Sequence, residues 1–197
     1  MSAPTISVVL PARDAAATIE RAARSILNST HRELELIIID DGSTDDTTEV
    51  IRQIDDPRLR LIQQEPGGVC AAANRGTNEA RAPVIARMDA DDFSHPKRLE
   101  KQLDLLRQSN VNMVGCRVRI IDALGQAVTS LQRYEQWSNA LTEPARIVAM
   151  RFVELPIVNP TLMAKREVFE LGYREGAWPE DYDCLLYTSP SPRDQCL

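Results

Sequence analysis

"LELIIIDDGSTDDTTEVIRQI", Leu34 to Ile54, contains a whole strand, turn and helix. Ile37, Ile38 and Ile39 are β-branched and apolar at consecutive positions, which suits a strand covered on both faces rather than one with a wet side. The run stops at Asp40 and Asp41. Gly42 then supplies a tight turn, Ser43 and Thr44 are available helix caps, and Val50, Ile51 and Ile54 recur at helical spacing. A doubly covered strand leading straight into a helix predicts a parallel sheet with crossover helices.

The neighbouring segments repeat the unit. Upstream, "TISVVLP" reads as a buried strand, and "AAATIERAARSILNS" as a helix that buries Ile19, Ala22, Ala23, Ile26 and Leu27. Downstream come a short strand "LRLIQQ", a turn at Gly67 and Gly68, an Ala-rich helix "VCAAANRGTNEA" and a fourth strand "APVIARMD". Ser94 and Pro96 read as the cap and first turn of the helix "PKRLEKQLDLLRQS", and "VNMVGCRVRIID" as a fifth strand. Past Leu124 the pattern weakens to a hairpin or loop, a helix near Pro144 to Phe152, a short strand around "IVNPTLMA" and a helix at "KREVFELG". The expected fold class is α/β, a Rossmann-like, mostly parallel sheet flanked by helices, in one domain over 1–183.

Composition narrows the function. A chain of 197 residues with 43% hydrophobic and 26% charged residues has an ordinary globular make-up. Its net charge of -6 argues against binding nucleic acid by phosphate neutralisation. Cys70, Cys116, Cys184 and Cys196 lack zinc spacing, and neither His31 nor His95 completes such a pattern. Reduced thiols, with no basic, apolar leader before Pro11, fit a cytoplasmic protein. No run reaches the roughly 18 apolar residues that span a bilayer. Peripheral association with the inner membrane face stays open.

Two acidic clusters carry the chemistry. Asp40 and Asp41 end the second strand, and Asp89, Asp91 and Asp92 end the fourth, in "RMDADDFSHPKRLEKQ". Carboxylates so close raise one another's pKa unless a cation, a proton or open solvent compensates. Both clusters fall at carboxyl ends of parallel strands, the edge where open α/β sheets bind ligands. Taken singly, each has a plain alternative: "DDGSTDD" is rich in capping residues, and aspartates before a helix favour its dipole.

Taken together, "SVVLPARDAAATIERAARSIL", "LELIIIDDGSTDDT", "EPGGVCAAANRGTNEARAPVIARMDADD", "NPTLMAKREVFELG" and "WPEDYD" resemble glycosyltransferase family 2, the inverting nucleotide-sugar transferases of GT-A fold. The resemblance runs in order to about Asp183. It implies that Pro11, Arg13 and Asp41 line the base and ribose pocket of a nucleoside diphosphate, with Asp40 supporting the turn. Asp89 and Asp91 would form the DxD motif, Asp91 as direct ligand of a divalent metal (Mn or Mg) and Asp89 nearer the ribose or a metal-bound water. Asp181, beside Glu180, would be the general base. The implied partners are a nucleoside-diphosphate sugar donor and a glycan or lipid-linked acceptor, in cell-surface polysaccharide or glycoconjugate synthesis.

Several residues are read more plainly. His95 is a surface or capping residue, Arg75 and Arg87 form structural ion pairs, Asn74 is an exposed or capping amide, and Trp137 and Trp178 belong to the core or rim. Asp14 stands where the family often carries an amide. After "EDYD" the chain turns to "CLLYTSPSPRDQCL", polar, proline-rich and without helical period. Residues 184–197 read as a disordered tail, translated adapter or vector sequence joined to a truncated frame. Phosphoryl transfer of the haloacid-dehalogenase type is the alternative for the Asp cluster, but the motif follows the fourth strand and no suitable lysine element follows it. The turn "PARDAAAT" lacks GxGxxG, and no P-loop is present. A non-enzymatic nucleotide-binding module would keep the "DD" and have no need of "EDYD".

Overall fold

The computed structural model describes residues 3–122, 124–150, 156–170 and 172–173. In chain order these form β1 (Ile6–Ala12), α1 (Ile19–Leu27), β2 (Leu34–Asp41), α2 (Thr47–Arg52), β3 (Leu59–Gln64), α3 (Gly68–Glu79), β4 (Val84–Arg87), α4 (Arg98–Gln108), β5 (Met113–Val114), α5 (Gln132–Asn139), α6 (Pro144–Met150) and β6 (Met163–Lys165). One sheet runs β3-β2-β1-β4-β6-β5. β1 to β4 are parallel, whereas β6 is antiparallel to both β4 and β5.

Two cores follow from the pleat. Val8, Leu10, Leu36, Ile38 and Ala86 meet α1, α2 and α4 on one face. Val9, Ile37, Ile39 and Ile85 meet Ala72 and Ala73 of α3, together with Phe169 and Tyr173, on the other. The three isoleucines of β2 are all fully buried, as strand cover on both faces requires. α3 lies tight against β1, since a Cβ added at Gly76 would come within 2.4 Å of Val9 Cγ1.

At the amino ends of the strands a polar clasp closes the sheet. Ser7 Oγ donates to Glu35 Oε1 at 2.6 Å, the Arg81 amide donates to the same oxygen at 2.7 Å, and Arg60 reaches Glu35 Oε2 at 3.0 Å and Glu79 Oε2 at 3.1 Å. Burial works to raise the Glu35 pKa, but the bonds from Ser7, Arg81 and Arg60 outweigh it and hold the carboxyl below its ordinary value. Ionised Glu35 therefore stabilises the fold above the unfolded pKa, and that stability is lost as pH falls through the depressed folded value. Glu35→Ala leaves buried donors unmatched and is expected to cost about 3 kcal/mol in urea unfolding at pH 7. A loss below about 0.5 kcal/mol, the level of an ordinary surface change, would show the clasp to be idle.

Four local expectations change. Past Val114 the fifth strand does not continue, because β6 offers it only Ala164 and Met163 as partners. Side chains of α5 pair that backbone instead: Asn139 bonds both the N–H and C=O of Val118, and Glu135 accepts from the Ile120 amide. "KREVFELG" forms one 3-10 turn, Arg166–Phe169, ending near Gly172. "NPT" is likewise a 3-10 turn before β6. None of the proposed caps, Ser43, Thr44 or Ser94, acts as one, and Pro96 precedes the first turn: α2 starts after Asp46 and α4 after Lys97, in both cases without a side-chain cap bond. Ser94 and Pro96 instead dock on the end of α1, through Ser25 Oγ and Ser29 Oγ.

Candidate active site

The chain runs outward from β1 to β2 and β3, then returns to place β4 on the other side of β1. That reversal makes the carboxyl ends of β1 and β4 a topological switch point, where adjacent connections leave in opposite directions and open a crevice. Pro11 and Arg13 lie at the end of β1, Asp40 and Asp41 at the end of β2, and Asp89 and Asp91 just beyond β4. The sequence-derived residues among the described ones therefore share one edge of the sheet. Asp181, Glu180, Trp178 and the tail 184–197 lie outside the described residues.

The β2 pair is held by different partners. Asp40, 1% exposed, accepts from the Ser43 amide at 3.0 Å and from Thr48 Oγ1, which ties the turn to α2. Asp41 accepts from Gln64 Nε2 at 2.7 Å and from the amides of Gly67 and Gly68, each at 2.8 Å. Burial pushes both carboxyls up, yet these donors prevail and leave both below the ordinary value, so both are anions at neutral pH. Gly42 turns the chain directly after them with φ +69°, and a Cβ there would come within 2.5 Å of Pro66.

Asp14 now has an explanation. It adopts the left-handed conformation, φ 48°, which short acidic and amide side chains tolerate. Its Oδ1 accepts from the Thr44 amide at 2.7 Å, and its own amide donates to Ser43 Oγ at 3.0 Å. Asp14 thus laces the loop after β1 to the loop after β2, beside the half-exposed Arg13. Ser43 and Thr44, read as helix caps, act in this lacing.

Beneath the β4 cluster sit two buried arginines. Arg98 of α4 donates to the Arg87 carbonyl at 2.7 Å and to Gln102 at 3.0 Å, fixing the strand end. Arg87, 1% exposed, places Nη2 3.6 Å from Asp89 Oδ1 and its guanidinium carbon 5.6 Å from the centre of the Tyr173 ring. Above them Asp91 is exposed and the Asp89 side chain 41% exposed. Asp92 is pushed up to about 6, by burial first and then by the charges of Asp89 and Asp91, against the pull of Arg98 and Arg21.

No group of three or more His, Cys, Asp or Glu side chains converges to hold a metal by itself among the described residues. The two solvent-accessible carboxylates, Asp89 and Asp91, fit a hard divalent cation whose remaining ligands are substrate phosphates and water. A small cation of this kind takes one or two carboxylates in phosphate-transferring sites, so the donor set is sufficient for it.

Asn74 departs from its reading as an exposed or capping amide, whereas Arg75, His95 and Trp137 take the plainer roles. Asn74 bonds both the carbonyl and the amide of Tyr173, at 2.7 Å each, and so pins that chain segment to α3. Arg75 pairs with Glu79, His95 Nδ1 accepts from the Lys97 amide, and Trp137 packs near Tyr134. Gln64, Thr48 and Arg98 escaped the sequence reading. Gln64 and Thr48 stand on no motif, and Arg98 looks like one more surface charge on an amphipathic helix.

The sequence matches the model of Glycosyl transferase family 2 over residues 7–172. The chain belongs to glycosyl transferase family 2. Among curated relatives, the O-antigen biosynthesis glycosyltransferase WbnJ of Escherichia coli is 32% identical over 188 residues, covering 92% of this chain and 70% of WbnJ. Among solved structures, S. aureus TarS 1-349 in complex with UDP-GlcNAc superposes with TM-score 0.73 at 16% identity, over 93% of this chain and 52% of TarS. The mannosyltransferase PcManGT from Pyrobaculum calidifontis, in complex with GDP-Man and Mn2+, gives 0.72 at 20% identity, over 95% and 52%. The chain thus spans little more than half of these two solved chains, and its fold is the GT-A fold. Family 2 membership replaces the haloacid-dehalogenase alternative. Among the described residues no helix is long and apolar enough to cross a membrane.

Proposed function

We propose that this chain carries the donor-binding face of a metal-dependent inverting glycosyltransferase, which moves a sugar from a nucleoside-diphosphate sugar to a hydroxyl of a glycan or lipid-linked acceptor. The observation that carries the reading is the meeting of both acidic clusters with Pro11 and Arg13 at the switch point of the sheet. The relative named for O-antigen biosynthesis supports a role in cell-surface polysaccharide or glycoconjugate synthesis.

In this reading Pro11, Arg13 and Asp41 receive the base and ribose, and Asp40 holds the turn that presents Asp41. Asp91 holds the divalent metal, Mn or Mg, and Asp89 lies nearer the ribose or a metal-bound water. When bound, the metal neutralises charge growing on the departing diphosphate. Asp181 takes the proton of the acceptor hydroxyl as its oxygen bonds to the anomeric carbon and the bond from that carbon to the diphosphate breaks. One carboxylate base suffices, unlike the flanking pair of a glycosidase.

A panel of uridine, guanosine and thymidine diphosphate sugars, titrated by calorimetry in Mn2+ and again in EDTA, tests the reading. At least one donor should bind in the metal buffer and not in EDTA. Equal, negligible heats for every donor in both buffers would overturn it.

A further inference from the structure

Arg87 is costly where it sits. Its side chain is 1% exposed, and among the described residues its Nε and Nη1 have no hydrogen-bond partner. Arginine keeps its charge in proteins, so the strand end carries a buried, permanent cation with two unmatched N–H nitrogens. Such groups are costly, and replacing them with apolar residues is often neutral or stabilising. A packing role alone would therefore be filled at least as well by methionine.

The surroundings point to what the cation does. Nη2 faces Asp89 Oδ1 at 3.6 Å, the Tyr173 ring lies 5.6 Å from the guanidinium carbon, and the Arg87 amide and carbonyl are both bonded, to the Leu162 carbonyl and to Arg98. Asn74 in turn fixes Tyr173 through two bonds. The main chain is thus fixed by its two bonds, and the guanidinium is held by burial and by the ring. The partly exposed carboxylate it faces is the more adjustable member of the pair.

Resting on the functional reading above, we propose that Arg87 is a positioning residue: from beneath the sheet edge it draws one oxygen of Asp89 inward. Asp89 is thereby set toward the donor's ribose or a metal-bound water, and direct metal ligation is left to Asp91. Without Arg87, Asp89 and Asp91 compete for one cation and the nucleotide loses its oriented hydrogen-bond acceptor.

A double-mutant cycle tests this, using UDP and GDP, each in saturating Mn2+, as calorimetric probes of wild type, Arg87→Met, Asp89→Asn and the double variant, with melting curves as the control for folding. Arg87→Met should melt within a few degrees of wild type while affinity for the nucleotide that wild type binds falls about 10- to 100-fold, the usual effect of losing a group that orients a metal-site ligand. In the Asp89→Asn background the same substitution should cost less than about threefold, because the residue it acts through has lost its charge. Losses that add in full, or a folded Arg87→Met with unchanged affinity, overturn the inference. If Arg87→Met does not fold, Arg87→Lys carries the same cycle, since lysine keeps a cation but not the planar fork. A wild type that binds neither nucleotide would instead contradict the functional reading itself.

Discussion

Asp91→Ala is expected to abolish metal-dependent binding of a nucleoside diphosphate. The reason is the shortage of replacements: among the described residues no third metal-ligating side chain converges on Asp89 and Asp91, and Asp89 is already turned toward Arg87. Asp92 is no substitute, because it is half-buried where Asp91 is exposed, and burial disfavours its charged form. Affinity measured in Mn2+ should therefore fall to the level seen in EDTA, while the melting temperature holds or rises as repulsion in the cluster is relieved. Metal-dependent affinity equal to wild type would remove Asp91 from the metal site.

Asp181→Asn should separate binding from turnover. Asparagine keeps the shape of the side chain and cannot accept the acceptor's proton. In a chain extended to the length of its relatives, nucleotide and metal affinity should stay near wild type while transfer drops by roughly a hundred- to ten-thousand-fold. If "PEDYD" only caps a helix, asparagine caps as well as aspartate and the substitution is nearly silent. Turnover with an identified acceptor, read beside nucleotide affinity, distinguishes the two. Near-normal transfer would place the base elsewhere.

The parts of the fold that sequence foretold are those with a strong local cause. Ile37 to Ile39 admit only a buried strand, α1 repeats its apolar residues at helical spacing, and each acidic cluster follows such a strand directly. The parts it misjudged depend on distant partners. "GCRVRIID" has every local mark of a strand, but the three-residue β6 gives it nothing to pair with, so α5 side chains bond its backbone instead. β6 itself is short because Arg166 follows it immediately into a turn, donating to the carbonyls of Ala80 and Ala82. In the site the same divide holds. Motif order marked the carboxylates, whereas Gln64, Asp14, Arg87 and Arg98 acquire their roles only from what folding brings beside them.

The order β4-β6-β5 also sets a timetable for synthesis. β4 pairs on one side with β1, made well before it, but its other edge waits for Met163, Ala164 and Lys165. Between Arg87 and Met163 lie 75 residues, from 163 - 87 - 1. At the usual pace of translation that is about 4 to 15 s during which a nascent chain presents an open strand edge. Val84, Ile85 and Ala86 are apolar, and such an edge is a template for pairing with other chains. The carboxylates that follow at once, Asp89, Asp91 and Asp92, place like charge beside it and make a second copy of the strand an unwelcome neighbour.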